Sequence, residues 1–189
     1  MKQFLKSIMF VIILVFFIGC SIDKYDEIEK TTNISNVDVL VLNENDLLKL
    51  GFKKNSDCEI KNYNTSEFSP LKQYAFCNYT IEKLNNTKII IELKKYTNLH
   101  DLNGTYQYSS SHLFSSEGLI SKDNYGDQSV FRVNSEKDYG GEFNEKNVHY
   151  YHLWFTNDLF LIHITSKGTI EAKEYIEKIV NKILLKFKN

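Results

Sequence analysis

The chain of 189 residues carries one proline, one tryptophan, two methionines and three cysteines, and its formal charge is only −1. Each shortage narrows the possibilities. With no basic excess there is no electrostatic footprint for nucleic acid, and there is no strong acidic bias either. Alanine and proline are scarce while Lys, Asn, Ile and Tyr are plentiful, a bias that an AT-rich genome explains more simply than function does. The longest apolar run, Ile8 to Ile18, is 11 residues, whereas a transmembrane helix needs roughly 20. No G-x-S-x-G elbow, Walker A loop or H-E-x-x-H pair occurs. Asp123 and Asp127 flank Gly126 without the spacing of a calcium loop. No nucleophile and base can be paired from the sequence, so a hydrolase is the least favoured class. No internal repeat or low-complexity tract interrupts the chain.

The most informative segment is the first twenty residues. Lys2 and Lys6 precede the apolar run, which ends at Gly19-Cys20. A basic start, a short apolar stretch and a small residue before the cut read as a secretory signal peptide over 1–19. Phe17-Ile18-Gly19-Cys20 resembles a prokaryotic lipobox, with Phe17 standing where that family prefers Leu. The resemblance implies cleavage before Cys20 and lipid attachment to its thiol. Two acyl chains, each buried methylene contributing about 0.8 kcal/mol, suffice for stable anchoring. An ordinary signal peptide or an uncleaved short anchor is the alternative. Cleavage removes 19 of the 189 residues and leaves 170, one domain's worth of chain. Loss of Lys2 and Lys6 takes the charge from −1 to −3.

Residues 20–36 are polar and aperiodic after the cysteine and read as a tether of very roughly 20–25 Å. The domain is expected over 37–189. Cys58 and Cys77 remain, and an even pair in an exported chain reads as a disulfide; the alternative is two buried reduced thiols. No further Cys or His lies at zinc-ligand spacing around them.

Within the domain, Val37–Leu42 is a strand candidate. Asn43 caps a helix over Glu44–Leu50 that stops at Gly51. The aromatic and β-branched segments Gln73–Leu84 and Lys88–Tyr96 form a hairpin through Asn85-Asn86. Asn98 caps a helix to about Phe114, with Leu99, Leu102, Tyr106 and Leu113 at helical spacing. Residues 115–128 and 135–147 read as loops around a strand at Ser129–Val133. Val148–Thr156 and Leu159–Ser166 form the clearest hairpin, turning at Asn157-Asp158. Thr169 caps a closing helix whose Ala172, Tyr175, Ile176, Ile179, Val180, Ile183, Leu184 and Phe187 make one apolar stripe. The fold class is therefore α+β, an antiparallel sheet packed between helices in a single domain.

Gly126-Asp127-Gln128-Ser129-Val130-Phe131, the hairpin through Phe155 to Ile164, and the helix from Thr169 to Phe187 resemble exported prokaryotic lipoproteins with a PsbP/Mog1-like domain, over about the last 90 residues. The resemblance implies an α/β/α sandwich and a non-catalytic, partner-binding module; it supplies no active-site residue and no cofactor.

The hairpin divides its residues by period two. Tyr151, Leu153, Phe155, Phe160, Ile162 and Ile164 form a core face. Tyr150, His152, Trp154, Leu161, His163 and Thr165 form a mixed face, expected to lie under the Asn98 helix or to line a ligand groove. Turning at Asn157-Asp158 would place His152 directly opposite His163, near enough to share a metal, but no third ligand is in place, so no structural metal is expected. Tyr125, Tyr139 and Phe143, aromatic residues in polar loops, are the candidate partner-binding residues. The functional expectation is a membrane-anchored lipoprotein on the external face of the envelope, binding another envelope protein. A solute or metal receptor using the 148–166 hairpin is the rival reading.

Overall fold

The computed structural model describes residues 34–64, 70–111, 118–134 and 146–188. Chain order explains most of the architecture. A 3-10 turn at Val37–Leu40 leads into helix α1 (Glu44–Leu50), then strands β1 (Lys53–Lys54), β2 (Glu59–Asn62), β3 (Leu71–Ile81) and β4 (Thr87–Tyr96). Helix α2 (Leu99–Ser111) follows, then β5 (Leu119–Lys122), β6 (Gln128–Asn134), β7 (His149–Asn157), β8 (Phe160–Gly168) and helix α3 (Ala172–Lys186). The eight strands form one sheet in the order β1, β3, β4, β8, β7, β6, β5, with β2 also pairing β3, and every pairing is antiparallel. The expected α+β domain, an antiparallel sheet with helices on its faces, is thus the observed one.

Three strong local signals carry directly into the structure. At α1 the Asn43 side chain accepts from the Asp46 amide at 2.9 Å, Asp46 reaches back to the Asn43 amide at 3.3 Å, and Gly51 closes the helix at φ 68°. This is a full capping box followed by a left-handed stop. Asp46 also meets Lys182 and Lys186 of α3, at 3.4 and 3.5 Å, which ties the two helices together. Asn85 and Asn86 both take left-handed φ and turn β3 into β4. Along α3, the residues Ala172, Tyr175, Ile176, Ile179, Val180 and Ile183 are all buried. They pack on Leu153, Phe155, Phe160, Ile162 and Ile164 in the main core, which Phe131, Leu93 and Tyr79 extend across the sheet.

Elsewhere the structure corrects the expectations. Val37–Leu40 is a 3-10 turn with Val37 and Leu40 buried, because apolar residues three apart eclipse on that geometry as readily as they would alternate in a strand. A short edge strand, β5, lies inside the segment read as a loop; Leu119 there is 47% exposed, and such an edge shows no inside–outside alternation. Leu99 also faces solvent while Leu102, Tyr106 and Ser110 turn inward. The closing helix starts at Ala172, whose amide bonds the Thr169 backbone carbonyl at 3.1 Å in a preceding turn, so Thr169 does not cap through its side chain.

The hairpin register differs as well. Asn157 pairs with Phe160, leaving Asp158 and Leu159 as the loop, with Asp158 in the left-handed region at φ 51°, a conformation Asp tolerates. Trp154 therefore faces His163, and His152 faces Thr165. A shift of two residues keeps every side chain on its expected face.

The Cys58–Cys77 disulfide is present, with Cα atoms 4.5 Å apart. It lies one step beyond the Glu59–Phe76 pair and fastens the outer edge strand to β3.

Candidate functional site

The second face of the sheet is built from residues that alternate with the main core: Tyr74 on β3, Glu92 and Lys94 on β4, Leu161 and His163 on β8, His152 and Trp154 on β7, and Val130 and Arg132 on β6. Helix α2 crosses this face. Its Leu102 and Tyr106 pack with Tyr96, Val130, Trp154 and Leu161 in a small second core. The helix is held at its start by Asn98, whose side chain accepts from the Asp101 amide at 2.9 Å. The mixed face lies partly under the helix, as one of its two readings had it: Trp154 and Leu161 are buried against Leu102 and Tyr106, and the residues beside them are less covered. There a groove of about 300 Å³ is lined by Glu92, Lys94, Ser109, His152, Trp154, Leu161 and His163. A wider depression of about 470 Å³ runs from His100 to Gln107, but a single helix walls it, so it is surface relief.

A line of polar groups crosses the groove floor. Tyr74 Oη donates to Glu92 Oε1 at 3.0 Å, and His163 Nδ1 lies 3.0 Å from Glu92 Oε2. Lys94 Nζ lies 3.6 Å from the same carboxylate. The other nitrogen of His163, Nε2, faces His152 Nδ1 at 3.4 Å. Because a carboxylate only accepts, His163 carries its proton on Nδ1, and the contact between the two rings then requires the proton to sit on His152 Nδ1. Trp154 stacks with both imidazoles, its centroid 4.5 Å from His163 and 5.3 Å from His152, with interplanar angles of 8° and 10°.

The electrostatics follow from these contacts. The His163 hydrogen bond, with help from Lys94 and Tyr74 and against the cost of burial, holds the Glu92 carboxyl down at about 2. Burial, reinforced by the neighbouring His163, lowers His152 to about 4. Burial also lowers His163, outweighing the pull of Glu92. At neutral pH the Glu92 carboxylate meets two uncharged imidazoles on one side and the Lys94 side chain on the other, and Glu92–His163 is a charge-assisted hydrogen bond in which only the carboxylate is charged.

The other residues singled out from sequence fall elsewhere. Tyr125 is half-buried and packs against the main core, its hydroxyl pushed up by burial. Tyr139, Phe143 and Cys20 lie outside the described residues. The Ser129 hydroxyl accepts from the amides of Asn124 and Tyr125, each at 3.0 Å, and Asp127 Oδ2 accepts from the Asp158 amide at 2.7 Å, so the Gly126–Ser129 motif is a turn that pins two loops. Among the described residues no group of three or more His, Cys, Asp or Glu converges on one point. Glu92, Tyr74, Lys94 and Ser109 were not foreseen. The available signal was Glu92 and Lys94 alternating with Ile91 and Leu93 in β4, two charges on a strand otherwise dense in apolar residues.

No family model and no curated protein matches the chain. Among solved structures, the extracellular domain of PknH from Mycobacterium tuberculosis is similar, with a TM-score of 0.53 and 8% identity, over 82% of this chain and 99% of that domain. At that identity the likeness is one of fold.

Proposed function

We propose that the chain is an exported lipoprotein, anchored through Cys20, whose α+β domain binds a ligand or envelope partner without catalysis, and that the groove beside α2 is its binding site. The groove carries this reading: a half-open sheet face with a stacked Trp154 and a satisfied line of polar groups is a prepared recognition surface. Binding is favoured over catalysis because the atom a Glu–His pair would use as a base, Nε2 of His163, is turned to another imidazole. Export is supported by the lipobox-like start, by the Cys58–Cys77 bridge, which suits an oxidising compartment, and by the fold shared with an extracellular domain. Among the described residues no helix is long and apolar enough to cross a membrane. The resemblance to PsbP/Mog1-like lipoproteins supports the partner-binding role.

The test has two arms. Cys20→Ala should remove the mature protein from the detergent phase on fractionation, and normal lipidation of that variant would end the anchor reading. Ser109→Trp fills the groove from α2; it should abolish capture of the ligand from solubilised membranes while leaving the melting temperature unchanged. Capture that survives the substitution removes the groove from the proposal.

A further inference from the structure

We propose that His152 and His163 together form a two-nitrogen anchor for an exchangeable divalent transition-metal ion, with the remaining coordination positions left for water or for a donor atom on the molecule that enters the groove. This inference rests on the reading of the groove as a binding site and names what it takes.

The first support is distance. Two imidazole nitrogens, each about 2.0–2.1 Å from a tetrahedral ion, stand about 3.3–3.4 Å apart. His152 Nδ1 and His163 Nε2 are 3.4 Å apart. The second support is the surrounding shell. A histidine that ligates a metal through one nitrogen commonly donates from the other to a carboxylate, which fixes tautomer and ring orientation. His163 does this to Glu92 Oε2, and Tyr74 holds Glu92 Oε1, each at 3.0 Å. The third support is rigidity: Trp154 stacks on both rings, and the rings are within 18° of parallel. The ring planes are therefore held in place, and the contact an ion must break is the one between the two rings.

Coordination replaces the His152–His163 contact without net release of a proton. The hydrogen on His152 Nδ1 moves to its Nε2, freeing the Nδ1 lone pair, while His163 keeps its own on Nδ1 toward Glu92. Imidazole donors select Cu(II), Ni(II) or Zn(II) over the oxygen-seeking Ca(II) and Mg(II), with Cu(II) bound most tightly. Among the described residues no third His, Cys, Asp or Glu joins them, and the positions beyond the two nitrogens are assigned to water or to a donor on the entering molecule. Such a site is labile and acts as a contact point, distinct from the closed four-ligand sites that stabilise folds.

The protein provides its own reporter, since Trp154 is the only tryptophan in the chain and lies against both ligands. Full-length protein in detergent, purified without a histidine tag, is titrated with Cu(II) and separately with Ca(II), following tryptophan fluorescence and calorimetry. The expected result is saturable quenching at one Cu(II) per chain, no response to Ca(II), loss of the site in His152→Ala and His163→Ala, and about 10- to 100-fold weaker binding in Glu92→Gln. His149→Ala should behave as wild type. Circular dichroism checks that each variant is folded; Glu92→Gln keeps both ligands, so its weakening reports the second shell even if a histidine variant unfolds. Absence of a one-per-chain site, or binding unchanged in folded His163→Ala, overturns the proposal. A protein that binds no metal yet still loses its ligand on Ser109→Trp sinks the metal assignment alone. One-for-one metal binding with ligand capture indifferent to Ser109→Trp leaves the metal site standing and sinks the wider binding reading.

Discussion

Reduction of Cys58–Cys77 should weaken the domain and loosen one edge of its sheet before anything else. The two cysteines are 19 residues apart in sequence. Closing a loop of that size removes enough freedom from the unfolded chain to contribute about 3 kcal/mol on the chain-entropy account. For a domain of this size each kcal/mol moves the melting temperature by about 2–4 °C, so the oxidised form should melt roughly 10 °C higher. The effect is also local. All four residues of β2 are exposed, so little apolar burial holds that strand, and its backbone ladder to Gln73–Phe76 depends on the crosslink for its register. Urea and thermal unfolding of the same protein, oxidised and reduced, isolate the crosslink without placing a polar side chain at the buried Cys77. Hydrogen exchange should show protection lost first at residues 59–62 and retained in β4, β8 and β7. Equal melting of the two forms, or unchanged protection along β2, would refute the reasoning. So would two thiols freely alkylated without reductant in protein purified under air.

Acid should destabilise the domain from an unusually high pH. His152 is lowered from 6.5 to about 4, so between those values the unfolded chain binds a proton that the folded one excludes. Stability is complete above about 6.5 and falls as pH drops toward 4, by roughly 3 kcal/mol in all. His163, Glu92 and Lys94 face the ring from β8 and β4, with Arg132 opposite it on β6; Glu92, held near 2, begins to add its own loss only below about 4.5. Melting temperature measured against pH in wild type and His152→Gln checks this, and an identical slope in both would refute it. At the end of β8, a Cβ on Gly168 would fall 2.1 Å from Thr87 Oγ1, displacing the hydroxyl that donates to the Leu84 carbonyl and accepts from the Thr169 amide. Gly168→Ala should therefore cost about 2–3 kcal/mol in chemical denaturation, whereas Gly104→Ala, which meets nothing within 4 Å, should be neutral or slightly stabilising.

Local chemistry in the sequence was enough for α1, for the Asn85-Asn86 turn and for the buried stripe of α3, because caps, left-handed turn residues and a 3.6-residue period act over a few neighbouring positions. It was enough, too, to sort the β7–β8 hairpin into a core face and a mixed face, since period two survives an error of two in register. It was not enough for Val37–Leu40, where a short apolar run fits a 3-10 turn and a strand equally well. The site needed the tertiary structure. Glu92 and His163 are 71 residues apart and meet only because β4 takes its place beside β8, and Tyr74 joins them because β3 lies on the other side of β4. Strand order depends on which apolar faces bury together across the whole sheet, and no local pattern encodes that. The residues by themselves determined an α+β domain and a mixed aromatic face on its sheet. Long-range packing decided that this face would bring a carboxylate, two imidazoles and the single tryptophan into one groove.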